Sequence, residues 1–382
     1  MRIAFFVSSI GDTDLALSTI KSMEHRGQNA TLLIALTEIA EQRINNFQSS
    51  SIVLKDTLSA ILGVETKSIE LCSEEQLAII IQYIKDKNIN YAYFGVPSVN
   101  NAIPFQIAEA LEETQILMAY EFMFKLDTHC LWQYLPKLKN KPNIHWALPL
   151  LNAVDDFRSV DDSKIHITGH LSIDNAYSCD STRNLAKIRD DLQVSTSSEL
   201  AFVSGTTQPV STDIEFLECL LAELPNHPNV QVRLGLHPGR RDLEDYVSAM
   251  LTVYIKYPRA YAQFKIILPN DLLHKFARPE LSINNPLLNH VFLRIDIKGV
   301  DASFAADKVA QAVPGALLNQ AAIEGKPSYS HSGKPYLPEQ CFANNLAAFF
   351  SGTRQPLRER EDLGLNEQSV AENYADIITM GC

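Results

Sequence analysis

The segment Leu234-Gly235-Leu236-His237-Pro238-Gly239-Arg240-Arg241 joins a run of strand character to one of helical character. A strand-to-helix turn aims backbone N–H groups and the positive end of the helix dipole at a ligand, which suits an anion. His237 falls at the strand end, Pro238 fits a first helical turn, and Arg240 and Arg241 add cations. Arginines in a first turn oppose the dipole, so a nearby anion would account for them. The alternative is a solvated surface on which Asp242, Glu244 and Asp245 neutralise them.

Other residues fall at comparable points. Val313-Pro314-Gly315 ends a strand-like run, and Ala316 to Glu324, with Asn319 and Gln320 inside it, reads as a helix stopped by Gly325 and Pro327. Its N-terminus is either a second ligand-facing turn or the start of an ordinary buried helix. Gly205, Thr206 and Thr207 follow another strand-like run, where small hydroxylated residues can donate to phosphate oxygens or form a plain loop. Asp12 and Asp14 follow the first strand-like run; a carboxylate there is either a general base toward an acceptor hydroxyl or a helix cap. Glu121 ends a further run, and His170 follows Gly169; each is a catalytic-side candidate or a residue with local structural partners.

Several chemistries lose their main support. The sequence has no Gly-x-Gly-x-x-Gly after its first strand, no P-loop lysine, no Gly-x-Ser-x-Gly and no His-Glu-x-x-His. No metal site is expected. The cysteines Cys72, Cys130, Cys179, Cys219, Cys341 and Cys382 form no C-x-x-C pair, which fits buried thiols in a reducing compartment.

The elements that must position these residues alternate. Apolar runs at 2–8, 30–36, 51–54, 90–95 and 115–120 read as strands, with helical periods after Asp14, near 74–87 and at 103–113. Apolar strands bounded by helices are buried on both faces, the pattern of a parallel sheet. Residues 126–163, with three prolines and both tryptophans, read as a connecting region. After the strand 164–168, a polar stretch near 175–195 suggests a domain boundary. A second series follows: strands at 200–204, 230–236, 264–268, 291–295 and 309–313, helices at 212–223, 241–254, 316–324 and 339–350. Residues 250–275 are ambiguous, since a helix crosses Pro258 only with a break.

The expected fold is therefore α/β, with two Rossmann-like doubly wound domains facing a central cleft. The domains are residues 1–175 and 195–350, with 351–382 a C-terminal tail ending in a short helix. A chain of 382 residues is long enough for two cores. With 45 acidic against 33 basic residues and a net charge of −12, binding to nucleic acid through phosphate contacts is disfavoured. The apolar N-terminus is too short for a signal-peptide core, and no run is long enough to span a bilayer, so a cytoplasmic protein is expected.

Taken in order, "ITGHLSID" (Ile167 to Asp174), "SGTT", "LHPGRR" and "PGALLNQAAIEGKP" make the chain resemble the GT-B glycosyltransferase superfamily and its relatives, the UDP-N-acetylglucosamine 2-epimerases. The His-Pro element is also similar to that of bacterial sialyltransferases and polyol-phosphate transferases. The resemblance implies a nucleotide-sugar donor as substrate, no further cofactor, and a second domain whose helix before "GKP" faces the diphosphate. It also implies that His237 contacts the phosphates. The chain departs from the epimerases at Gly95-Val96-Pro97-Ser98, where they carry an acid, and at Asn319 and Gln320, where they carry glutamates. The ribose-binding acid is absent or shifted to Glu324. The implied activity is metal-independent glycosyl transfer to an unidentified acceptor. The alternatives are a nucleotide-binding protein without turnover and a hydrolysing 2-epimerase.

Overall fold

A computed structural model describes residues 1–64, 71–98, 100–178, 184–237, 239–240, 242–269, 272, 276–278, 281, 290–333 and 335–380. Pro238 and Arg241 lie outside the described residues. The chain forms two compact units: residues 1–174 with 360–382, and residues 175–359.

Unit 1 holds seven strands: β1 Ile3–Val7, β2 Ala30–Ala35, β3 Ile52–Thr57, β4 Tyr91–Gly95, β5 Gln115–Ala119, β6 Ile144–Leu148 and β7 Ile165–Ile167. Its helices are α1 Ile10–His25, α2 Glu38–Asn45, α3 Leu58–Leu62, α4 Glu74–Asp86, α5 Ile103–Ala110, α6 Leu131–Leu138 and α7 Leu171–Tyr177. In unit 2 come α8 Leu185–Asp191, β8 Glu199–Ser204, α9 Val210–Glu223, β9 Val230–Gly235, α10 Leu243–Ile255, β10 Phe264–Leu268 and β11 Phe292–Arg294. Then follow α11 Gly299–Ala305, β12 Lys308–Gln311, α12 Ala316–Ile323, β13 Ser328–Ser330 and α13 Leu346–Ser351. The last helix, α14 Val370–Met380, belongs to unit 1.

The sheets run β3-β2-β1-β4-β5-β6-β7 and β11-β10-β9-β8-β12-β13, and the described strand pairings are parallel. Both are doubly wound. Chain order reverses between β1 and β4 in the first sheet and between β8 and β12 in the second, and ligands of such sheets bind at that switch point. β1 (IAFFV) is buried along its length, which is why it lacks the alternation of a half-exposed strand.

Two expectations need correction. Residues 126–163 are not a connector: they supply α6 and β6, and β6 pairs with β5 and β7. Pro142 and Pro149 bracket β6 rather than interrupt it, and Trp146 is a fully buried strand residue. The units divide between Asp174 and Asn175, and the polar stretch that follows contains α8, capped by the Asn184 side chain on the Lys187 amide. The stretch 351–382 is not a free tail: it divides between the units, and α14 lays Val370, Tyr374, Ala375 and Ile378 into the core of unit 1 with Leu15, Ile20 and Met23 of α1. Near Pro258, α10 stops at Ile255 and a short 3-10 turn, Pro258–Ala260, leads to β10.

Cys72, Cys130, Cys219 and Cys341 form no disulfide. Among the described residues no helix is long and apolar enough to cross a membrane.

Because both tryptophans (Trp132 and Trp146) lie in unit 1, tryptophan fluorescence follows its unfolding selectively. Ile378→Ala should remove about 2–5 kcal/mol from that transition in urea, whereas a freely appended α14 would leave the midpoint unchanged.

Candidate functional site

The switch point of unit 2 brings together the turns after β8, β9 and β12. Gly205 continues the ladder past β8, donating its N–H to the Gly235 carbonyl at 2.8 Å. Thr206 is buried, and its N–H and hydroxyl go to the Asp213 carboxylate at 3.3 and 3.0 Å, so it has no donor to offer a ligand. Thr207 is exposed.

Arg240 does not act as the sequence suggested. Its guanidinium is buried and donates to the carbonyls of Thr206 (2.6 Å) and Gln208 (2.9 Å). It also faces Asp213 at 3.6 Å and lies over the Tyr246 ring, 3.8 Å from the centroid. Arg240 ties the β8 and β9 turns together instead of reaching for phosphate. The Tyr246 hydroxyl completes the knot by donating to Asp213 at 2.9 Å. Burial pushes the Asp213 carboxyl up, and its bonds from Tyr246 and Thr206 and the charge of Arg240 pull it back. The sequence reading missed Asp213 and Tyr246, which look like an ordinary first-turn acid and a core aromatic.

His237 is half-buried and follows β9. Its Nδ1 accepts the Gly239 N–H at 3.0 Å, which places the ring proton of the neutral form on Nε2. Burial, then the nearby Arg240 cation, holds the imidazole below its usual range, so it is a neutral donor at pH 7.

Helix α12 opens at Gly315 with no side-chain cap. The Gln311 side chain packs onto Gly315 so closely that a Cβ there would stand 2.8 Å from Oε1. Asn319 Nδ2 donates to the Gly315 carbonyl at 2.9 Å. Gln311 and Asn319 are both buried, and neither side-chain oxygen has a partner among the described residues. Gln320 and Glu324 serve the interior instead. Gln320 donates to Glu324 at 2.8 Å, and Glu324 pairs with buried Lys326 at 2.8 Å. A carboxylate committed to Lys326 is not free to hold a ribose.

In unit 1, the same edge is filled by carboxyl groups. Ser9 caps α1, and Asp12 accepts the N–H of Ser8 (2.8 Å), the N–H of Ser9 (2.6 Å) and the Ser9 hydroxyl (2.8 Å). Asp12 lies against Gly95 at the end of β4, where a Cβ would collide with it. Glu121 lies against Gly11 in the same way and accepts the Asp12 N–H. Both carboxyls are buried. Burial pushes Asp12 up to about 6 against the pull of its hydrogen bonds. Burial, then the negative charge of Asp12, holds Glu121 well above the usual carboxylate range. The capping reading of Asp12 prevails over the base reading, and Asp14 is drawn away by Arg43, with contacts of 2.8 and 2.6 Å on the surface of α1.

His170 repeats the His237 arrangement. Its Nδ1 accepts the Ser172 N–H at 3.0 Å, and burial pushes it down to about 4, so it too is a neutral Nε2–H donor. His129, which the sequence reading did not single out, accepts the Leu131 N–H through Nδ1 at 3.1 Å. Among the described residues no three His, Cys, Asp or Glu side chains cluster as a metal site.

No protein-family model matches the sequence, and no curated protein resembles it in sequence. Solved structures do resemble it in fold. The UDP-GlcNAc 2-epimerase of Methanocaldococcus jannaschii, in complex with UDP-GlcNAc and UDP, aligns with a TM-score of 0.59 at 11% identity over 100% of both chains. The fold is GT-B-like. A glycosyltransferase from Rickettsia africae gives a TM-score of 0.59 at 10% identity, over 99% of this chain and 92% of that one. The S. aureus MnaA–UDP structure gives 0.56 at 10% identity, over 99% and 95%. In this GT-B-like chain, the parallel sheets with flanking helices agree with the architecture expected from the sequence.

Two outcomes follow. Arg240→Ala should cost about 3–5 kcal/mol in calorimetric unfolding, because Asp213 loses the cation that faces it in the interior. The carboxyl pair sets a pH dependence. Folded-state values raised above the unfolded ones mean that the native state holds more protons, so stability is full below about pH 4 and declines as pH rises through 6 and beyond. Glu121→Gln should flatten that decline in fluorescence-monitored unfolding.

Proposed function

We propose that the protein is an enzyme of nucleotide-sugar chemistry that holds the donor's phosphates on unit 2 and transfers its sugar to an acceptor without a metal ion. One observation carries the reading: the uncapped N-terminus of α12 at the switch point, with buried Gln311 beside it lacking a partner for its side-chain oxygen. The free helix amides and the dipole call for acceptor oxygens, as on phosphate. The unpartnered oxygens of Gln311 and Asn319 call for hydroxyl or N–H donors. A nucleoside diphosphate sugar offers both. The neutral Nε2–H of His237 and the exposed hydroxyl of Thr207 add donors for the phosphates.

The nucleotide class is supported by the fold neighbours whose structures contain UDP or UDP-GlcNAc, which makes UDP the first ligand to test. In transfer, the acceptor oxygen bonds the sugar's anomeric carbon as the bond from that carbon to the diphosphate breaks. The acceptor's proton passes to an oxygen of the leaving diphosphate, so no free carboxylate of unit 1 is required. That suits a unit in which Asp12 is a cap and Asp14 an ion-pair partner. A second reading, 2-epimerisation, is favoured by one observation. Asp12 lies over Gly95, which places a carboxyl at the end of β4 although the β4 turn carries no acid of its own.

Calorimetric titration with UDP, GDP, CMP and dTDP sugars tests the proposal, followed by product analysis with acceptor panels. At least one donor should bind, and His237→Ala or Gln311→Ala should weaken it about 10- to 150-fold, the loss of one hydrogen bond to a charged group. Arg43→Ala, on the surface of unit 1, should leave affinity unchanged. Failure of every nucleotide to bind sinks the proposal. Epimerised sugar in place of a transfer product selects the second reading, and binding without turnover defeats both reactions.

A further inference from the structure

Away from both switch points, two histidines of unit 1 touch each other. His145 lies on β6 and His166 on β7, the edge strand of the sheet. Ala147 is the register partner of His166, so His145, two residues earlier, is its diagonal neighbour on the same sheet face. His145 Nδ1 and His166 Nε2 stand 3.1 Å apart in a hydrogen bond. The ring centroids are 5.3 Å apart and the planes are inclined by 27°, so the rings meet through their nitrogens and not face to face. Both residues are half-buried.

β7 has few other holds on the sheet. It is three residues long, and β6 is its one neighbour there. Thr168 extends the ladder by donating its N–H to the Leu148 carbonyl at 2.9 Å, and the chain then turns at Gly169 (φ +92°) toward α7.

A hydrogen bond between two imidazoles depends on how many protons they carry. In the neutral pair, one ring N–H donates to the lone pair of the other ring. A first added proton leaves an imidazolium donating to a neutral ring. A second takes the remaining lone pair and sets two N–H cations against each other. The surrounding charges do not offset that repulsion. Lys164, just before β7, adds positive charge near His145, and its ammonium donates to the Lys141 carbonyl at 2.8 Å. Lys141 is turned to the Glu109 carbonyl. On α14, which shares a core with Ala147 of this face, Glu372 accepts from the Ser369 hydroxyl and Asp376 pairs with Arg26. Among the described residues no carboxylate pairs with either ring. Burial holds both imidazoles below their usual range, and the charges of His166 and Lys164 add to the effect at His145.

We infer that the His145–His166 hydrogen bond is a pH-sensitive fastener of the edge strand β7, closed while the two rings keep one lone pair to share and opened when both are protonated. Folded-state values below the unfolded value of about 6.5 mean that this stability is full above that pH and is lost as pH falls. The sign is opposite to that of the Asp12–Glu121 pair, which keeps the two effects distinguishable. The inference concerns unit 1 alone and stands whether or not the protein uses a nucleotide sugar.

Hydrogen exchange of the full chain from about pH 7.5 to about pH 5, corrected for the intrinsic rate at each pH, tests it on the amides of β7. In the parent, the opening equilibrium of Ile165–Ile167 should rise by up to about tenfold per unit fall in pH for each proton taken up, while β1 and β4 stay protected. His145→Phe and His166→Phe keep a ring and remove the shared lone pair. Each should show a shallower rise, and the double variant none. Imidazole titration by NMR gives a second readout: in His166→Phe, His145 should titrate closer to its usual range. Where a variant fails to fold, the parent profile still decides. Exchange of β7 that ignores pH in the parent overturns the proposal, as does a slope that survives in the double variant or an unmoved His145 titration in His166→Phe.

Discussion

In a parallel sheet every strand ends on the same edge, and the helix after each strand begins there with free amides and the positive end of its dipole. Those groups have to be satisfied, and the starts of α1 and α12 differ in how this is done. In unit 1 the chain supplies its own acceptors: Ser9 and Asp12 close the start of α1, and the Glu121 carboxyl lies against Gly11 in the same turn. In unit 2, α12 starts at Gly315 with no side chain on its amides.

Filling the edge with carboxyls has an electrostatic consequence. Two acids buried together cannot both ionise without strong mutual repulsion, so one keeps its proton. The pair lies buried in unit 1, where α14 returns from the far end of the chain to pack on α1. The glycines at 11 and 95 make this possible, since a Cβ at either would occupy the space of a carboxyl.

The same economy governs the cations and histidines. Arg240 is surrounded by carbonyls, Asp213 and the Tyr246 ring, so it fixes the shape of the β8 and β9 turns rather than meeting solvent. His129, His170 and His237 each bend back to accept the amide two residues on through Nδ1. That local bond settles the tautomer and leaves each neutral ring with its proton on Nε2. A histidine fixed in this way is a hydrogen-bond donor whose direction is set by the backbone.

The repeating alternation of apolar strands and amphipathic helices determined the α/β class, the presence of two sheets and the turns after β1, β8, β9 and β12 as the places to look. These are local properties: a strand buried on both faces needs a continuous apolar run, and a helix start needs its punctuation. Residues 126–163 hid α6 and β6 because prolines mark a boundary and an interruption with the same letter. Which of the candidates at each turn is free was a tertiary matter. Asp14 is taken by Arg43, Arg240 by Asp213, Glu324 by Lys326 and Asp12 by the cap of its own helix, and two of those four partners come from other elements. Burial, then the negative charge of Asp12 more than a hundred residues earlier in the chain, raises the Glu121 carboxyl. Residue types and spacing fix what a side chain can do; burial and the charges brought beside it fix its protonation state and its partner, and those depend on the folded chain.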